Sequence, residues 1–145
     1  MHILDKILKL GDPRLYEVCE EVKFEEIEFY QEQIRLMHEL IIECQNKYGF
    51  GRGIAAPQIG LLKRIVCLNL QGEKYTLFNP VLSQFSMQKK EMWDDCMSFP
   101  NLLVKLKRHE TCVVNYRDEH WNLITKKLDW PISELLQHEV DHLDG

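Results

Sequence analysis

Near its end the chain carries His138-Glu139-Val140-Asp141-His142, and no other stretch restricts the fold as strongly. Histidines at i and i+4 lie one turn apart on one face of a helix, where both imidazoles can reach a single metal ion. Glu139 follows the first histidine, so its carboxylate can hold a metal-bound water rather than the metal. The surrounding residues agree with a helix. Pro131 opens it, Asp129 offers a cap, Glu134 sits in the first turn, and Leu135, Leu136, Val140 and Leu143 supply apolar side chains. A buried helix with a metal site on one face is expected.

A catalytic zinc-type site takes three protein ligands and leaves one position for water. Thermolysin-type peptidases take a Glu well downstream, and metzincins a further His. Only Leu143-Asp144-Gly145 follow His142 here, so the third ligand is expected upstream. The candidates are the five cysteines and His2, His38, His109 and His120. An odd number of cysteines without paired spacing is no disulfide framework and points to a reducing compartment. Cys19, Cys44, Cys67 and Cys112 read as small buried hydrophobes. Cys96 differs, because it lies in the dense segment Trp93-Asp94-Asp95-Cys96-Met97-Ser98-Phe99-Pro100, which lacks the alternation of a regular strand. A thiolate there needs a cation, and a metal would supply it. Two histidines and a thiolate suit Fe(II), Zn or Ni, and ligand type alone does not choose among them.

The remainder predicts an α+β chain in one domain, residues 1–145. From Glu26 to Tyr48 the apolar positions Ile27, Tyr30, Ile34, Met37, Ile41 and Cys44 repeat every three or four residues, a helical stripe that Gly49 ends. Strands are expected at Arg64–Leu70, Tyr75–Phe78, Leu102–Leu106 and Thr111–Tyr116, with a turn at Gln71–Lys74 and a break at Asn79-Pro80 before Val81-Leu82. No parallel βαβ rhythm is present, so the sheets should be antiparallel, packed around the C-terminal helix. Lys and Arg number 18 against 23 Asp and Glu, and the net charge of −5 excludes a general nucleic-acid binder. No apolar run is long enough for a membrane span, and the start has no signal-peptide pattern.

A third cluster is Gly51-Arg52-Gly53-Ile54-Ala55-Ala56-Pro57-Gln58-Ile59-Gly60. Its small residues allow another backbone to approach, and Gln58 offers an amide donor. The ending required of a phosphate-binding loop is missing. In this order, Gly51 to Gln58, Asp94 to Ser98 and His138 to His142 resemble the GxGxAAxQ, EGCLS and HExxH motifs of the peptide deformylases. Leu10-Gly11-Asp12-Pro13-Arg14-Leu15 and Phe78-Asn79-Pro80 are similar too, so the resemblance spans essentially the whole chain.

The resemblance implies a cytoplasmic metallohydrolase, bacterial or phage-encoded, that removes the formyl group from N-formylmethionyl peptides and releases formate. It implies that Cys96, His138 and His142 hold one divalent metal, Fe(II) in the cell and Zn or Ni after purification. Glu139 would then act as general base and acid. Gln58 and the backbone N–H of Met97 would stabilise the oxyanion, and Gly53 would lie where the peptide pairs as an extra strand. Four departures stand out. Asp94-Asp95 replaces Glu-Gly, which would strain the backbone if a glycine-only conformation is needed there. Trp93 and Met97 change the bulk nearby, Arg52 takes a position usually apolar, and the chain stops at Gly145. The missing C-terminal extension weakens an expected ribosome contact. Asp95 motivates an alternative, a deformylase-like protein that binds metal or peptide with little turnover.

Overall fold

The structure, a computed structural model, describes residues 3–98 and 102–145. His2 and the Phe99-Pro100 end of the cysteine segment lie outside the described residues.

The first long element, α1 (Gln31–Tyr48), buries Ile34, Met37, Leu40, Ile41 and Cys44 on one face. Gly49 ends it in the left-handed region at φ +76°, its N–H bonded to the Gln45 carbonyl. The helix starts later than the periodicity predicts, because Phe24–Glu26 and Glu28–Tyr30 wind as separate 3-10 turns. Glu26 explains part of this. Its carboxylate accepts from the Lys23 N–H and the Tyr30 hydroxyl, closing a local turn.

Seven strands follow among the described residues: β1 (Gly53–Ala55), β2 (Ile65–Leu70), β3 (Glu73–Ser83), β4 (Lys89–Asp94), β5 (Val104–His109), β6 (Cys112–Arg117) and β7 (Leu123–Leu128). All pair antiparallel, five in the order β1-β2-β3-β6-β7, while β4 and β5 form a separate pair. Sequence reasoning did not find β1, β4 or β7. β1 is too short to show a period, and Lys89, Lys90 and Glu91 of β4 are exposed. β7 buries only Leu128. Asn79-Pro80 does not break its strand either. β3 runs through with a bulge, the register moving from Phe78↔Arg117 to Val81↔Asn115, and Asn79 takes up the turn at φ +52°.

The final helix, α2 (Ile132–Asp144), carries the histidine motif as expected. Asp129 does not cap it through its side chain. Its carbonyl accepts the Ser133 N–H instead, at 2.9 Å. Every residue from Ser133 to Val140 is buried, as befits a helix covered on all sides.

The five-stranded sheet separates two apolar layers. β2 is buried on both faces, and its side chains alternate between them. Ile65 and Cys67 pack with Met37, Leu40 and Ile41 of α1, whereas Val66 and Leu68 pack with Leu135, Leu136 and Leu143 of α2. That arrangement fixes α2 beneath β1. At the other side β5 grips the helix through polar contacts. Gln137 donates to the His109 carbonyl and accepts from the His109 N–H, and Ser133 donates to the same carbonyl.

Candidate active site

Three elements bring the predicted residues together. α2 presents His138 and His142 from successive turns, and their Nε2 atoms lie 3.2 Å apart. Cys96 follows β4 by two residues, and its Sγ stands 3.4 Å from His142 Nε2. One donor atom from each residue lies within 4.8 Å of the others, and among the described residues this is the only such metal-binding group found. A soft thiolate with two imidazoles is the donor set of a divalent transition metal, so the residues fit the ion that the motif implies.

The rival ligands point elsewhere. His38 Nε2 meets Thr76 Oγ1 and His109 Nδ1 meets the Ser86 carbonyl. All five cysteines are free and buried. Burial pushes the Cys19 and Cys44 thiols up to about 11, and those of Cys67 and Cys112 also rise, so none of these four offers a ready thiolate.

Asp94 ends β4 with a buried carboxylate, and His138 Nδ1 lies 2.6 Å from its Oδ2. Arg108 on β5 reaches the same oxygen at 3.2 Å and Asp141 of α2 at 2.8 Å. Burial works to raise the Asp94 pKa, but hydrogen bonding to His138 and the charges of His138 and Arg108 bring it below the ordinary value. A carboxylate on Nδ1 sets the tautomer and leaves Nε2 free to face a metal. In the metal-free chain the two histidines diverge. Burial opposes charge on His138, but hydrogen bonds to Asp94 and Cys96 overcome it and raise its pKa to about 11. Burial, then the neighbouring His138, lowers that of His142 to about 3.

Glu139 is 2% exposed, with Oε1 3.6 Å from His138 Nε2 and Oε2 without a hydrogen-bond partner among the described residues. Burial pushes its carboxyl up to about 7. A carboxyl poised there can take and return a proton near neutral pH.

The Gly-rich segment closes the site from above. Gly53 opens β1, and a Cβ placed on it would lie 2.9 Å from Leu68 Cδ2 and 3.4 Å from Glu139 Cγ. Glycine there leaves room for the Leu68 side chain and the Cys67 carbonyl of β2, the latter 3.3 Å from where the Cβ would lie. Gln58 is buried, its Oε1 accepting from the Ala55 N–H. Its Nε2 donates to Ser98 Oγ at 3.0 Å and lies 3.4 Å from Cys96 Sγ. Met97 is buried beside them. Asp95 has no left-handed backbone, so the strain expected from replacing glycine does not arise.

Sequence reasoning missed Asp94 as the partner of His138, along with Arg108 and Glu134. A metal-binding histidine needs an acceptor on its second nitrogen, and that rule could have singled out a carboxylate two residues before Cys96. Glu134 lies four residues before His138 and so shares its helix face. Arg108 has no local signal.

Residues 4–145 match the family model described as polypeptide deformylase. A peptide deformylase from Parafrankia sp. is 36% identical over 137 residues, an alignment covering 94% of this chain and 72% of the relative. The crystal structure of a peptide deformylase from Synechococcus elongatus in complex with actinonin superposes with a TM-score of 0.86 at 27% identity, covering 95% of this chain and 72% of that one. The deformylase of a Vibrio parahaemolyticus bacteriophage, also in complex with actinonin, gives 0.84 at 30% identity and covers 95% and 96% of the two chains.

Proposed function

Since the chain belongs to the peptide deformylase family and is a metal-dependent hydrolase of formyl peptides, we propose that Cys96, His138 and His142 hold its metal while Glu139 moves the protons. The observation that carries this reading is the meeting of those three donor atoms beside a buried carboxylate whose pKa is raised to about 7. We place the reaction on N-formylmethionyl peptides in a bacterial cytoplasm, with Fe(II) as the resident metal and Zn or Ni as substitutes.

A metal bound by this trio supplies Lewis acidity, acidifying a water and polarising a carbonyl. The chain's own groups do the rest. Asp94 holds the His138 ring by its Nδ1. Glu139 accepts a proton from the attacking water and returns it to the departing amine. Gln58 is held by Ala55 and Ser98, so its amide is oriented before substrate arrives. The Nε2 contact with Cys96 Sγ at 3.4 Å is the weak one, and that N–H can be given over to charge developing on the formyl oxygen. The backbone N–H of Met97 is the second proposed donor.

β1 is the edge strand of the five-stranded sheet, so its outer side can take an extended peptide as an added strand. Gly53 stands at its start beside Glu139, which would bring the peptide's first amide to the site.

The test is formate release from a formylmethionyl peptide by Fe(II)-loaded protein handled without oxygen. Turnover is expected. Metal-replete protein without turnover would contradict the reading.

A further inference from the structure

β4 and β5 pair only with each other, and their side chains alternate between the two faces of the ribbon. The inner face carries Asp94 and Arg108 and meets α2. The outer face carries the opposed pairs Lys89–His109, Glu91–Lys107 and Trp93–Lys105, and all but His109 are exposed. The two strands hold five Lys and Arg against two carboxylates, in a chain whose net charge is −5. Lys105 pairs with Glu91 and lies 5.9 Å from the Trp93 ring centroid, so this indole is fixed in place although 62% exposed. Lys89 and Lys107 make no ion pair among the described residues.

Negative charge gathers elsewhere. Glu17 to Glu32 contains seven glutamates and one lysine. Lys63 partners Glu20 and Glu26, whereas Glu21, Glu25, Glu28 and Glu32 are exposed and make no ion pair among the described residues. The 3-10 turns of this segment hold two aromatic rings out among the acids, Phe24 at 61% exposure and Phe29 at 76%. Phe24 rests edge-on against Trp121 and Phe29 against Tyr30, so neither ring has to be ordered before a contact forms. Among the described residues no ion pair joins this segment to the ribbon within one chain.

Fixed, exposed aromatics within a charged rim are the parts of a protein–protein interface. Here the chain presents two such surfaces of opposite sign, and that complementarity makes a second copy the occupant. We propose that copies associate head to tail, Trp93 and the lysines of one ribbon meeting Phe24, Phe29 and the glutamates of the next copy. The surfaces are unlike, so the contact is heterologous. Trp93 and Asp94 are neighbours in β4 and point to opposite faces, which puts the docked copy on the face turned away from the His138 partner. Such association is independent of the deformylase reading.

The test is sedimentation velocity of the metal-loaded chain, from about 1 µM to about 1 mM, the range of weak protein contacts. In about 0.1 M salt the average mass should climb above the monomer as concentration rises. In about 1 M salt, where the screening length shrinks from about 10 to about 3 Å, the association constant should fall about tenfold or more. Lys89→Glu with Lys107→Glu, and separately Glu25→Lys with Glu28→Lys, should each stay monomeric, because like charges then face each other. An equimolar mixture of the two should associate again, since the first keeps its glutamates and the second its lysines. A wild-type chain that is monomeric throughout overturns the proposal. So does association that persists in either variant, or a mixture that stays monomeric. Wild-type chain that associates but releases no formate supports the contact and contradicts only the deformylase reading. The wild-type arm needs no variant, so misfolding of a substituted chain does not shield the proposal.

Discussion

Asp94 and His138, 44 residues apart in sequence, are joined by a 2.6 Å contact between Oδ2 and Nδ1. The aspartate ends β4 and the histidine stands in α2, so one bond couples the strand that delivers Cys96 to the helix that delivers both imidazoles. Arg108 ties the same carboxylate to Asp141 on that helix. Replacing Asp94 by Asn keeps the shape and removes the charge. Metal affinity, measured by competition with a chelator, should fall by about 10–100-fold. An unchanged affinity would show that the pair does not orient the ligand.

Burial of Glu139 has a consequence for stability. Its carboxyl pKa rises from the ordinary 4.5 to about 7 in the folded, metal-free chain. Below pH 4.5 the group is protonated folded or unfolded and costs nothing. Between 4.5 and 7 the unfolded chain gives up its proton first, so stability falls as pH rises, and the loss is complete above 7. Glu139→Gln removes that cost. In chelator-treated protein at pH 8 it should stabilise by about 2–3 kcal/mol in urea unfolding, with the gain vanishing near pH 4. A loss of stability at pH 8 would contradict the assignment.

Gly53 is needed for space. A Cβ there would meet Leu68 Cδ2 at 2.9 Å, the Cys67 carbonyl at 3.3 Å and Glu139 Cγ at 3.4 Å. Gly53→Ala should displace the Leu68 side chain and crowd the Cys67 carbonyl of β2, shifting β1 beside Glu139 and lowering kcat by about 10-fold. Metal content should stay near that of the parent chain. Unchanged kcat would mean that Leu68 and β2 adjust without moving β1.

Asn79 fastens the N-terminal segment to the bulge in β3. Its side chain accepts from the Val22 N–H at 2.7 Å and donates to the Val22 carbonyl at 2.8 Å. Its backbone also occupies φ +52°, which Asn tolerates better than most residues. Asn79→Ala should cost about 2–3 kcal/mol by urea titration, from two lost hydrogen bonds and an unsatisfied backbone. A change under about 0.5 kcal/mol, typical of surface sites, would show that water replaces the side chain.

What the sequence revealed follows from which signals are local. The His138 and His142 spacing declared its helix, and the three- and four-residue steps from Ile34 to Cys44 declared α1. β2 was legible because its residues are apolar on both faces. β4 and β7 were not, since an exposed pairing edge leaves little apolar pattern to read. Within the site, Cys96, Glu139 and Gln58 sat in recognisable motifs, whereas the Arg108–Asp141 and Arg52–Glu134 pairs depend on side chains meeting across 33 and 82 residues. Such meetings are products of the fold, and no window of sequence contains them.

The most direct test of the central claim separates metal binding from proton transfer at Glu139. Wild-type protein and Glu139→Ala are loaded with the same metal, their metal content is measured, and formate release from formyl-Met-Ala-Ser is followed. Equal metal content with turnover lowered by about 10²–10⁴-fold is the expected result, the range for loss of a general base. A metal-replete Glu139→Ala chain that turns over like wild type would contradict it.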